Sequence, residues 1–317
     1  MTVLLLACEA GSAEWLIPTA DRLKAEGRNL CLVGTPMAIK TWRQAGLQAG
    51  AELARDAAPA AVSEVCDGLS ALVSSVTGAP VEAAFLQAAR EAGRPAVAFV
   101  DAFTPCRPRL MPAGRMLDFD AVLVIDDMQK QEAMAEGLPG GSFVPVGQPA
   151  WEAAEALPPA DERKVLFVGQ PVRKHYGAAL PFDEDCAWRM LRAAAADRAD
   201  LQFGYAVHPE QDAAALDLGS LGRLEMNGRD ALLRYGTVVG MFSSLFSHAL
   251  AGGRKVISLQ PKSGSQDYCG FSRRGLIPKA IDAAELAGLL STVRLAAPEK
   301  NRWRGSVQSV MQVLDRL

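Results

Sequence analysis

No two of the six cysteines (Cys8, Cys31, Cys66, Cys106, Cys186 and Cys269) form a C-x-x-C pair, and none clusters with histidine. That excludes a disulfide framework and a zinc site, so the thiols read as small core residues in a reducing compartment. Excess charge of one sign is also lacking. The formal net charge is −3, which gives no electrostatic pull toward nucleic acid or an anionic membrane. Long hydrophobic runs are missing too: the opening MTVLLLACEAG has no basic start, and its apolar run is too short for a signal peptide or a membrane span. A cytoplasmic location, without nucleic acid or an integral membrane segment, is the expectation. There is no full G-x-G-x-x-G, no G-x-x-x-x-G-K-[ST] and no D-x-D in a convincing loop, which disfavours the usual dinucleotide and P-loop sites. No metal or cofactor is expected.

What is present is alternation. Short apolar runs (Val3–Ala7, Leu30–Val33, Leu69–Val73, Ala96–Val100, Ala121–Ile125, Phe143–Val146) are separated by helical patterns at 15–27, 37–45, 81–92 and 128–136. Buried strands alternating with amphipathic helices predict parallel sheets covered on both faces. After Gly147-Gln148-Pro149, the stretch WEAAEALPPADER has no strand character and reads as a linker. A second series follows, with strands at Lys164–Val168, Leu201–Val207, Val238–Phe242 and Lys255–Leu259. Helices are expected at 183–198, 229–235, from Ser244, at 283–294 and at 303–317. With 317 residues, two domains of roughly 150 residues each are expected. The predicted fold is therefore α/β, with two doubly wound Rossmann-like domains facing across a cleft: residues 1–150, a linker at 151–163, and residues 164–317. The phrase VGQP occurs twice, at 146–149 and 168–171, in non-equivalent positions.

Open α/β sheets bind ligands beyond the carboxyl ends of their strands, so the loops there hold the candidate residues. In TVVGMFSSLFSHALAGG a strand gives way to a helix at Ser243-Ser244. The serines either cap the helix or add hydroxyl donors to a phosphate at its amino end. His208 closes the strand before Pro209, which forces it into an extended backbone; it is a candidate cation or acid for a departing phosphate. His175, in a basic loop, and His248, inside a helix, are weaker candidates. Asp101, directly after a strand, is the candidate base, and the pair Asp126-Asp127 is a lesser one. Arg107 and Arg109 in the following loop are candidate grips for an anionic substrate. Glu9, Gly11 and Ser12 after the first strand offer acceptor or phosphate contacts. Gly169 and Gln170 form the matching loop of the second half, and Gln260, opening QPKSGSQ, is placed to reach a sugar or ribose.

The HP dipeptide at His208-Pro209, followed by the SS pair at Ser243-Ser244 and a small-residue helix and strand (249–259), resembles the nucleotide-binding half of GT-B glycosyltransferases. In that order the motifs are similar to those of bacterial sialyltransferases and Kdo transferases. The wider group, including UDP-N-acetylglucosamine 2-epimerase, also has a donor-binding histidine loop and a serine-bearing helix start. The resemblance covers mainly residues 164–262. It implies a CMP-sugar donor, His208 assisting phosphate departure, Ser243 and Ser244 holding the phosphate, and a last helix packing back on the first domain. The sialyltransferases' acidic pair followed by glycine has no clear counterpart; Asp67-Gly68 offers one acid, before a strand instead of after it. The leading expectation is thus a metal-independent glycosyltransferase of bacterial surface glycan synthesis, using a nucleotide-sugar donor and a glycan or glycoprotein acceptor. A UDP-amino-sugar epimerase or hydrolase is the second reading. A non-catalytic nucleotide-sugar-binding or scaffold protein is the third.

Overall fold

The computed structural model describes residues 2–58, 61–62, 65, 68–154, 156–208, 210–215, 218, 223–292 and 303–316. The chain divides into two units, Met1–Ala153 with Asn301–Leu317, and Ala154–Lys300.

In the first unit, strands β1 (Thr2–Ala7), β2 (Asn29–Gly34), β3 (Ala51–Glu52), β4 (Ala71–Ser75), β5 (Ala96–Phe99), β6 (Ala121–Val124) and β7 (Phe143–Pro145) form one parallel sheet in the order β3-β2-β1-β4-β5-β6-β7. Alternation along β1 explains why both faces are buried. Val3, Leu5 and Ala7 enter one core with Trp15, Leu16 and Trp42, while Leu4, Leu6 and Cys8 enter the other with Phe85 and Leu86. The covering helices are α1 (Ala10–Ala25), α2 (Pro36–Gln44) and α3 (Pro80–Glu91), followed by α4 (Arg107–Leu110), α5 (Asp127–Ala135) and α6 (Pro149–Glu152). Trp15 stacks on Phe99 with centroids 4.2 Å apart, and Trp42 Nε1 donates to the Ala13 carbonyl at 2.9 Å.

The second unit repeats the scheme with β8 (Lys164–Val168), β9 (Gln202–Ala206), β10 (Arg223–Glu225), β11 (Thr237–Gly240), β12 (Lys255–Leu259) and β13 (Lys279–Ala280), parallel in the order β10-β9-β8-β11-β12-β13. Its helices are α7 (Val172–Tyr176), α8 (Glu184–Ala194), α9 (Gly228–Ala231), α10 (Leu245–Ala251), α11 (Gly270–Arg273) and α12 (Ala283–Thr292). The core gathers Phe167, Trp188, Tyr205, Met241 and Leu259.

The last helix, α13 (Ser306–Leu314), belongs to the first unit: Val310, Met311 and Leu314 enter the core of Trp15 and Phe99. Two connections with the return segment fix its start. The Glu152 carboxylate accepts the backbone N–H groups of Gly305 at 2.6 Å and Val307 at 2.9 Å, and Ser306 Oγ accepts from Gln148 N–H at 2.9 Å.

Three strands go beyond the sequence reading: β3, β10 and β13, all short and at or near sheet edges. At two or three residues they offer too little period-2 pattern to be seen, and sheet pairing alone defines them. Among the described residues, no helix is long and apolar enough to cross a membrane.

Candidate functional site

Each sheet runs outward in both directions from a central strand pair, β1 with β4 and β8 with β11, and the strand ends at such a reversal of order are where open α/β sheets bind ligands.

In the second unit the loops after β8, β9 and β11 are knitted together. Gln170 Oε1 accepts the Phe242 N–H at 3.0 Å, joining the β8 loop to the β11 loop. Gly169 donates its N–H to the Ala206 carbonyl at 2.9 Å, and a Cβ on it would come within 2.5 Å of Tyr205 Cε1. A side chain at 169 is therefore excluded by the neighbouring strand. His208 is half-buried at the end of β9. Its Nδ1 accepts from the Glu210 N–H at 3.2 Å, which leaves Nε2 to carry the proton of the neutral ring. Burial holds its pKa below the ordinary value, opposed by Glu210 and reinforced by His175 and Lys174. The ring thus favours the neutral form, a donor through Nε2, over the cation entertained from sequence. Beside it, the Glu210 carboxylate bonds Lys174 Nζ at 2.6 Å and faces His175 Nε2 at 3.2 Å. Pro209 lies outside the described residues.

The serine pair is divided in role. Ser243, 9% exposed, turns its Oγ back to accept the Leu245 N–H at 3.2 Å, so its hydroxyl caps α10. The helix is only seven residues long, which limits any dipole at its amino end. Ser244 is the exposed member, its carbonyl held by Ser247 Oγ at 2.7 Å. Gln260 departs from expectation: it is fully buried, and its amide bonds Ser258 Oγ at 2.9 Å, Asp267 Oδ1 at 2.7 Å and the Tyr268 N–H at 2.8 Å. It braces the β12 loop and has no atom to spare for a ribose. His248 pairs with Arg229 Nη2 at 2.8 Å along the side of α10.

In the first unit Asp101, Gly11 and Arg109 come together. Asp101 Oδ1 accepts from Arg109 Nη1 at 3.1 Å, Arg109 also bonds the Val76 carbonyl at 3.2 Å, and a Cβ on Gly11 would lie 3.1 Å from Asp101 Oδ2. The expected lone base is therefore half of an ion pair, and Arg109 is occupied internally. Several other sequence candidates also have partners within the protein. Ser12 is fully buried and exchanges hydrogen bonds with the Glu9 backbone at 3.2 Å, which closes the first turn of α1. Glu9 pairs with Arg55. Arg107 Nη1 donates to the Glu136 carbonyl at 2.8 Å at the end of α5. Asp126 caps α5 through Gln129 N–H at 2.8 Å, and Asp127 lies in its first turn. Asp67 lies outside the described residues.

Sequence reasoning missed Glu82, whose buried carboxylate accepts from Ser75 Oγ at 2.6 Å, Thr77 N–H at 2.7 Å and Ala79 N–H at 3.1 Å. Burial raises its pKa against those donors. It also missed Gln129 and Gln148, which donate to the carbonyls of Ala102 at 2.7 Å and Asp101 at 2.8 Å and so pin the Asp101 turn from two sides. A glutamine just past a strand was the available signal: in both copies of VGQP the glutamine staples neighbouring loops. Among the described residues, no group of three or more His, Cys, Asp and Glu could hold a metal ion.

No protein-family model matches the chain, and no curated protein matches it. Solved structures do. UDP-GlcNAc 2-epimerase from Methanocaldococcus jannaschii superposes with a TM-score of 0.70 at 11% identity, over 100% of both chains. The UDP-GlcNAc 2-epimerase from Neisseria meningitidis, bound to UDP-GlcNAc, does so with a TM-score of 0.67 at 9% identity, again over 100% of both chains. CalG4, the calicheamicin glycosyltransferase, superposes with a TM-score of 0.56 at 14% identity, over 98% of this chain and 94% of that one. The two parallel-sheet units thus have the GT-B-like fold. The leading expectation, a CMP-sugar glycosyltransferase, is corrected: matches of this kind are repeatedly to UDP-GlcNAc 2-epimerases, and none of those described points to a sialyl- or Kdo-transferase.

Proposed function

We propose that this chain acts on a UDP-linked amino sugar, as an epimerase or hydrolase that needs no separate acceptor. One observation carries the reading: the loops bearing Gly169-Gln170, His208 and Ser243-Ser244 stand at the carboxyl ends of β8, β9 and β11, in a fold shared end to end with an epimerase that binds UDP-GlcNAc.

The chemistry required includes departure of UDP, which breaks the C1–O bond and places negative charge on the oxygen of the β-phosphate. In epimerisation the C2 proton is lost as UDP leaves to give a C1=C2 alkene, to which a proton returns on the opposite face of C2 and UDP at C1; in hydrolysis water adds at C1. A neutral imidazole offering Nε2–H is suited to the departure of UDP because it gives a hydrogen bond that strengthens as charge develops. The exposed Ser244 hydroxyl and the backbone of the Gly169 loop would contribute further donors, with Gln170 and Ser243 holding those loops in place.

Incubation with UDP-GlcNAc, followed by proton and phosphorus NMR, tests the reading. Formation of the C2 epimer or release of UDP is expected, together with thermal stabilisation by UDP that exceeds that by CMP. An unchanged sugar nucleotide with no UDP response would remove the proposal.

A further inference from the structure

Gln211 is the hub of the His208 turn. Its Oε1 accepts from the His208 backbone N–H at 3.1 Å, and its Nε2 donates to the Tyr205 hydroxyl at 3.1 Å. That same Oε1 lies so near the Cα of Gly169 that an added Cβ would overlap it. One amide therefore registers three segments against each other: β9 through Tyr205, the β8 loop through Gly169, and the turn through His208. Tyr205 is the fixed point of the three, 2% exposed and packed against Phe167 and Trp188 with centroids 5.1 and 5.4 Å away. If the amide were lost, the turn would move before the tyrosine did. Orientation of the imidazole depends on that turn, because Nδ1 is held by the N–H of Glu210, and the turn is closed by the Gln211 N–H donating to the His208 carbonyl at 2.9 Å. Whatever fixes the backbone of His208 and Glu210 relative to each other also fixes which ring nitrogen bears the proton.

We propose that Gln211 is a positioning residue for His208, keeping the imidazole proton on Nε2 by tying the turn to Tyr205 and Gly169. This rests on the reading of His208 as the group that meets the sugar nucleotide, and adds to it the residue that orients the ring. Gln211 itself contacts no reacting atom.

Imidazole nitrogen NMR of the ligand-free protein, above the histidine titration range, tests it directly. Wild type should show His208 as a single Nε2–H tautomer, and Gln211→Ala a mixture of the two. Gln211→Glu should restore the wild-type pattern, because its carboxylate can accept from both the His208 N–H and the Tyr205 O–H. In the UDP-sugar assay, kcat of Gln211→Ala should fall about 10-fold or more with KM little changed, and Gln211→Glu should recover it. Tyr205→Phe removes one anchor while leaving the ring packing. It should shift the tautomers in the same direction and serves if Gln211→Ala does not fold. A pure Nε2–H tautomer in Gln211→Ala and in Tyr205→Phe would overturn the proposal, as would mixed tautomers with undiminished kcat. Wild type that turns over no UDP-sugar would defeat the functional reading instead, while the spectra, which need no substrate, would still decide the positioning role.

Discussion

A half-buried imidazole between two bases and one acid behaves differently from a free one. Burial is the largest influence on His208, so the folded state binds fewer protons there than the unfolded chain does. Stability from this group is complete above the ordinary histidine value and is lost as pH falls from about 6.5 through the lower folded value. The same displacement sets a kinetic expectation, because a proton on Nδ1 would face the Glu210 N–H that Nδ1 accepts and turn the ring out of place: the acidic limb of kcat/KM for the UDP-sugar reaction should have its midpoint below about 6.5, and should vanish in His208→Ala. Turnover in that variant should drop roughly 10²-fold to 10⁴-fold with an unchanged circular dichroism spectrum. Near-normal turnover would mean the ring is a bystander. Cys8 illustrates the opposite outcome of burial. Its thiol is pushed far up, first by desolvation and then by the charge of Glu82, which leaves it a core atom in place of a nucleophile.

At the scale of elements, glycines decide how closely helices and loops approach the sheets. Gly204 in β9 is covered by the ring of Tyr235, whose hydroxyl donates to the buried Glu225 carboxylate of β10 at 3.0 Å; burial pushes that phenol up to about 12. A Cβ on Gly204 would come within 2.8 Å of Tyr235 Cε1 and overlap its hydroxyl, so the ring would have to leave its carboxylate partner. Gly204→Ala is expected to cost about 1–3 kcal/mol through overpacking, seen as a lower melting temperature. An unchanged melting curve would show that the ring relocates freely.

For the whole chain, the last helix matters most. Val310 and Met311 are at most 1% exposed within the core of the first unit, and Val313 and Leu314 are at most 9% exposed there. Phe103, Trp151 and Trp303 pack edge-on or tilted where the returning segment enters, with centroids 5.0–6.2 Å apart. Removing residues from Trp303 onward strips about 1.5–3 kcal/mol of burial for each large core side chain. The truncated chain should therefore lose the cooperative unfolding transition of the first unit, and limited proteolysis should cut within residues 1–153 first. A truncated chain as protease-resistant as the full one would show that this helix is dispensable.

Val3–Ala7 and Ala121–Val124 announce themselves as buried parallel strands because a run apolar at every position must be covered on both faces, a demand local sequence states outright. From such runs the α/β class and the positions of the strand-end loops could be read, and with them His208, Gly169 and Ser243-Ser244 as candidates. Side-chain commitments could not be read in the same way. Asp101 was committed to Arg109, Ser243 to Leu245 N–H and Gln260 to Asp267. Nor could Gln211 be singled out, since its partners Tyr205 and Gly169 lie six and forty-two positions earlier. A periodic hydrophobic pattern records only how each residue divides between water and core. Hydrogen bonds between loops depend on which strands become neighbours, and only the folded sheet order settles that.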